Sequence, residues 1–206
     1  VFVDYSAMTR VWYAYILTWI MYSGDVVAAD VDFSYVHGAY SGQFANLQIQ
    51  DFYTISGFEG TSAGSRSTVA LYGLGYDKNA TLAVHDIIQP DSFICFAAQD
   101  EHNPAPAQYV LRENAEIIEA SQRAPVLISL SRVPNFVTDL IGIIRNISEV
   151  DEIIAVPMGP KTHVLGTLLA GHIFPRLTVM HALGNRREPV QVRAEGRISC
   201  CRVEYR

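Results

Sequence analysis

Five short runs dominate this chain: TVALYG from Thr68, SFICFAA from Ser92, VLISL from Val126, EIIAVPM from Glu152 and LTVMHAL from Leu177. Each is apolar along most of its length instead of alternating with polar residues, so both faces of the strand it forms must be covered. Helix-length segments separate the runs. That order belongs to strand–helix–strand units in a parallel sheet with right-handed crossovers. The expected fold is therefore α/β: a Rossmann-like, doubly wound, mostly parallel sheet with helices on both faces. Half of the 206 residues are hydrophobic and 17% are charged, enough to build one large core. No repeat, low-complexity tract or long linker divides the chain, so residues 1–206 are expected to form a single domain.

Other segments decorate this frame. VFVDYS at the start and Val31 to Val36 read as strands, and QIQDFYTIS followed by STVALYG marks a mid-chain β excursion, Leu47 to Gly73. PVQVRAE and RISCCRVEY, split by Glu195-Gly196-Arg197, predict a closing β-hairpin within 185–206. Helices are predicted over Thr9–Tyr22, Asp77–Ile88, Tyr109–Gln122, Asn135–Asn146 and Lys161–His172, with DEHNPAPAQ, 100–108, as a two-proline loop. The most hydrophobic stretch, VWYAYILTWIMY (Val11–Tyr22), spans only about 18 Å as a helix, too short for a bilayer. It also lacks the basic leader and cleavage pattern of a signal peptide, so it is expected to be a buried central helix. A start at Val1 instead of Met leaves room for an upstream module.

Charge and cysteine content narrow the class. A net charge of −6 provides no global attraction to nucleic acid or to an anionic membrane. Arg176, Arg186, Arg187, Arg193, Arg197, Arg202 and Arg206 nevertheless concentrate basic charge near the C-terminus, as a solvated face or as a contact surface. Cys95, Cys200 and Cys201 make neither a disulfide framework nor a metal spacing, which fits a reducing, cytoplasmic setting. On a strand, adjacent Cys200 and Cys201 face opposite ways, one to the core and one to the surface. The histidines show no H-x-x-x-H or H-E-x-x-H spacing, so no metal or other cofactor is expected.

The stretch Gly60-Thr61-Ser62-Ala63-Gly64 matches G-x-S-x-G, the nucleophile elbow of serine hydrolases. An elbow needs a helix leaving the serine. Here the exit leads into TVALYG, a strand, and no downstream acid–histidine pair stands out (Asp139 with His163 is one of many). Gly57 to Ser67 is therefore read as a glycine-serine loop joining two strands, lying over a ligand site at most.

Ligands of open parallel sheets bind beyond the carboxyl ends of the strands, near a reversal in strand order. Three turns there carry anion-binding chemistry. Asp4-Tyr5-Ser6-Ala7-Met8-Thr9-Arg10 offers hydroxyls that can cap a helix and a guanidinium in its first turn, with Asp4 alternatively a polar anchor of the turn. Gly73-Leu74-Gly75-Tyr76-Asp77 is not a dinucleotide fingerprint, but Gly75 permits close backbone approach and Asp77 suits an N-cap. Val156-Pro157-Met158-Gly159-Pro160-Lys161 places Gly159 and Lys161 at a helix start, a cradle for phosphate or carboxylate without the P-loop pattern. Asp4, Ser6, Arg10, Gly75, Asp77, Gly159 and Lys161 are thus the expected ligand-binding set. His163, one turn into the same helix, is a candidate acid or base. Gln99-Asp100-Glu101-His102 and Ser129, Ser131 and Arg132 end two other strands.

The order D-x-S-x-M-x-R at Asp4, Ser6, Met8 and Arg10, the mid-chain glycine turn and V-P-M-G-P-K resemble uncharacterised Rossmann-like proteins of prokaryotes. In layout, Val1 to about Leu183 also resembles the CARF-type sensor domains of CRISPR and related defence systems. That resemblance implies a homodimer that binds a cyclic or linear oligonucleotide messenger across the dimer interface, above the strand ends, and relays the signal to an effector protein. It implies that Asp4, Ser6, Arg10, Gly75 and Lys161 face the ligand. The chain departs from it in having no recognisable nuclease or helix-turn-helix effector, and in the Leu47–Gly73 excursion. The expected function is a sensor of a nucleotide-like or phosphorylated molecule. A hydrolase or transferase of nucleotides or sugar phosphates, with Asp4, Asp77 or His163 as acid or base, is the first alternative. A structural assembly subunit using the basic C-terminal hairpin is the second.

Overall fold

The computed structural model describes residues 1–39, 47–61, 64, 67–186 and 193–206. The five apolar runs form β4 (Thr68–Gly73), β5 (Ser92–Gln99), β6 (Val126–Ser129), β7 (Glu152–Pro157) and β8 (Leu177–Arg186). They lie side by side and parallel, in the order β8-β7-β4-β5-β6. The chain runs outward from β4 to β6, then returns to the far side of β4 to lay down β7 and β8. Strand order therefore reverses between β4 and β7, and the fold is the expected Rossmann-like α/β type. The mid-chain excursion supplies β3 (Leu47–Thr54), a sixth strand antiparallel to β8.

A second sheet departs from expectation. β1 (Phe2–Asp4) and β2 (Ala29–Gly38) pair in parallel, and β9 (Ala194–Tyr205) runs antiparallel to β2. The initial strand thus belongs to a separate three-stranded sheet. The C-terminal run does not turn at Glu195-Gly196-Arg197: those residues lie within one long strand, whose partner is β2. The other arm expected for that hairpin, from Pro189, lies outside the described residues up to Val192. Alternation along β9 buries Cys201 and exposes Cys200, as the strand geometry requires.

The helices are α1 (Arg10–Tyr22), α2 (Lys78–Ile88), α3 (Ala105–Glu113), α4 (Ala115–Ala120), α5 (Val133–Arg145) and α6 (Lys161–Ile173). The buried central helix is α6, not α1. Every residue from Thr162 to Gly171 is buried, because α6 packs against β7, β8, α5 and α1 at once. α1 buries Tyr13, Ala14, Leu17, Ile20 and Met21 on one face and exposes Trp12, Tyr15, Trp19 and Tyr22 on the other. The segment expected as a single helix over Tyr109–Gln122 breaks at Asn114, and its start moves forward to Ala105. Pro104 caps it and another proline sits in its first turn, where a missing N–H costs nothing. Among the described residues, no helix is long and apolar enough to cross a membrane.

Candidate functional site

Three turns meet above the β4–β7 seam. The β4–α2 and β7–α6 turns approach closely through backbone: a Cβ on Gly75 would stand 2.6 Å from the Met158 carbonyl oxygen, and one on Gly159 3.0 Å from that of Leu74. Gly75 is thus explained by packing between two loops. The space a side chain would take there is filled by the Met158–Gly159 backbone. Asn114, fully buried, fixes this turn from below. Its Nδ2 donates to the carbonyls of Gly75 (3.0 Å) and Val110 (2.8 Å), and its Oδ1 accepts from Thr81 Oγ1 (3.1 Å). Asp77 caps α2 by accepting from the amides of Asn79 and Ala80, as its position predicts.

The β1–α1 turn closes over the other side. Arg10 Nη2 donates to the carbonyls of Met158 (3.0 Å) and Gly159 (2.9 Å), while Lys161 Nζ donates to the carbonyl of Ser6 (2.6 Å). The two cations therefore cross over, each reaching into the other's turn. Asp4 Oδ1 accepts from the amide and hydroxyl of Ser6 (2.9 and 2.6 Å), and Ser6 Oγ accepts from the Val36 amide (2.8 Å). The Ser6 bonds and the nearby Lys161 charge hold the Asp4 carboxyl below its ordinary range, so it is ionised at neutral pH. Thr9 occupies the α1 N-cap position without a side-chain cap bond. Asp4, Ser6, Arg10, Gly159 and Lys161 are brought together; Gly75 and Asp77 stand behind them as supports of the adjoining turn.

Several other candidates are placed elsewhere or engaged. His163 is 1% exposed, lies against Phe136 (ring centroids 4.4 Å apart), and bonds through Nε2 to the Ser129 carbonyl at 3.0 Å. Burial pushes its pKa down to about 4, so it is a neutral core residue and reaches no solvent-borne substrate. Ser62 lies outside the described residues. Its neighbours Gly60 and Thr61 pack on the start of β8: Thr61 N donates to Pro175 O (2.9 Å), and Thr178 Oγ1 donates to Glu59 O (2.9 Å). On leaving the loop, the Ser67 carbonyl accepts from the Glu152 amide at the start of β7. The described flanks of the serine motif thus sit at the amino ends of the strands, opposite the rim that carries Arg10 and Lys161.

Sequence reasoning missed two groups and the role of a third. Asn114 reads as a helix residue, although an asparagine inside a helical pattern signals side-chain bonding to backbone. Thr162, in the first turn of α6, is 1% exposed with its Oγ1 unpartnered among the described residues. Asp100, at the end of β5, holds Arg197 of β9 through both carboxylate oxygens and so anchors the small sheet over the rim. Of the C-terminal arginines, Arg202 pairs with Asp32, and Arg206 with Asp30 and Glu204. No cluster of three or more His, Cys, Asp or Glu suited to a metal occurs among the described residues. Neither a protein-family model nor a curated protein matches this chain.

Proposed function

We propose that the protein is a ligand-binding sensor domain that takes a nucleotide-like or phosphorylated molecule at the rim of the parallel sheet, beside the β4–β7 seam. One observation carries this reading: Arg10 and Lys161 converge with the start of α6 where strand order reverses. The positive end of a 13-residue helix and two cations beside one seam favour an oxyanion. Both cations already hold backbone carbonyls, so ligand phosphate would reorganise the contact between the β1–α1 and β7–α6 turns. That coupling suits a sensor, because the β1–α1 turn leads straight into the second sheet. Prokaryotic defence or signalling, with an effector protein downstream, is the setting this reading suggests.

The engaged acid–base groups favour binding over turnover. His163 is sealed in the core, Asp77 caps a helix, and Asp4 is tied to Ser6. A thermal-shift screen with mono-, di- and oligonucleotides, linear and cyclic, tests the proposal. A rise in melting temperature is expected for the wild type and not for Lys161→Ala or Arg10→Ala. No shift with any of these compounds overturns it, and consumption of the bound compound assigns the site to a hydrolase or transferase.

A further inference from the structure

α1 presents a largely exposed aromatic face, touched at its end by the ring contact of Tyr22 with His172. Trp12, Tyr15, Trp19 and Tyr22 are 54–68% exposed, although they are among the bulkiest side chains of the protein. Their spacing is 3-4-3, the a/d repeat of a helix that packs along a second helix. The core-facing residues, Tyr13, Ala14, Leu17, Ile20 and Met21, fall at the b, c and f positions of the same register, which a lone helix pair leaves to solvent. α1 thus has two apolar faces on opposite sides. One is used by its own core. After Arg10 the helix carries no charged residue, so nothing on the second face selects for water or for a charged partner.

We infer that this face is the homodimer interface, formed by α1 packing antiparallel on α1 of a second copy. A two-fold axis requires a surface complementary to itself, and an uncharged aromatic seam meets that condition without any further matching. Antiparallel pairing sets the Trp12 end of one helix against the Tyr22 end of the other, and Tyr15 against Trp19. Aromatic side chains bury about 150–250 Å² each, so four rings more than half exposed present about 500 Å² per copy. That is most of the roughly 800 Å² per partner of a standard interface. An open cleft of about 650 Å³ between this face and Tyr53 of β3 provides room for the rest. A membrane surface is a poorer occupant, since interfacial helices carry basic residues on a polar face and this chain has a net charge of −6. In this arrangement the two rim sites lie at opposite ends of the paired helices, each complete within one protomer, so the dimer stands or falls independently of ligand binding.

Sedimentation of the full chain tests the interface. A dimer is expected for the wild type, and Trp12→Glu/Trp19→Glu should weaken it by about 100-fold or more, since buried tryptophans are the commonest interface hot spots. A wild type monomeric at about 100 μM, weaker than any useful self-association, overturns the inference, as does a dimer that survives the double substitution. The chain has two tryptophans, both on this face, so emission from the wild type alone reads its burial. Emission should move to longer wavelength as the dimer dissociates on dilution. Dissociation with unchanged emission, or a blue shift on phosphatidylcholine vesicles from a monomeric protein, overturns the inference even where the variant fails to fold.

Discussion

Asp100 shows how much one side chain fixes. It is 8% exposed, and its carboxyl is held down to about 2, chiefly by the Arg197 hydrogen bonds against the opposing effect of burial, with help from the His102 amide. An unfolded aspartate titrates near 3.9, so the ionised pair stabilises the fold fully above about pH 4 and loses that effect as pH falls toward 2. Arg197→Ala leaves the carboxylate buried without its cation. The expected loss is about 2 kcal/mol at neutral pH, below the 3–5 of a fully buried pair because the Arg197 side chain is itself a third exposed. Urea unfolding of wild type and variant at pH 7, where the histidines leave stability untouched, measures that loss directly. Lys161→Ala gives up the bond to the Ser6 carbonyl, about 1 kcal/mol. A variant so mildly affected stays folded at room temperature, so its failure to bind would report on the site and not on stability.

Between neighbouring helices, the same substitution should have opposite signs. α5 and α6 pack closely at Gly166, where an added Cβ would stand 2.3 Å from Cδ1 of Phe136, a buried ring with nowhere to move. Gly166→Ala should cost about 1–3 kcal/mol through overpacking. Gly142 lies on the exposed side of α5 with nothing within 4 Å, so Gly142→Ala should stabilise by about 0.5–1 kcal/mol, the helix preference of alanine over glycine. Thermal unfolding of the two variants checks both signs. Elements differ equally in how far the sequence discloses them. β4 to β8 are legible because strands covered on both faces need unbroken apolar runs. Arg10 and Lys161 are legible as neighbours because each opens a helix that follows a strand, and the two turns meet. β9 misleads, since pairing with β2 rather than with a neighbour is decided by tertiary contacts that leave no local mark. α1 misleads for a different reason: hydropathy cannot distinguish a face that meets its own core from one left for a partner. Asp100–Arg197 depends on that same β9 placement and is therefore invisible until the second sheet is known.

The whole molecule carries its acid sensitivity in histidines instead of carboxylates. Burial lowers the pKa of His37, His163, His172 and His181, the last also through the nearby Arg10 charge, and brings His163 and His181 to about 4. An unfolded imidazole titrates near 6.5. Below that pH the unfolded chain takes up protons that the folded one refuses, so stability is untouched at pH 7 and above and drains away as pH falls from about 6.5 toward 4. Each refused proton contributes a slope of up to about 1.4 kcal/mol per pH unit. With four such groups spread over both sheets and α6, the protein should lose most of its stability before Asp4 or Asp100 begins to protonate. Urea unfolding at several pH values between about 7.5 and 4.5 measures that slope directly, and proton uptake on unfolding at about pH 5 should be well above one. His163→Gln retains an amide N–H to donate to the Ser129 carbonyl and removes one titrating group. It should lower the slope by about one proton's worth whatever it does to stability at pH 7. An unchanged slope would mean that His163 protonates within the fold, against the burial between Phe96 and Phe136 that holds its pKa down.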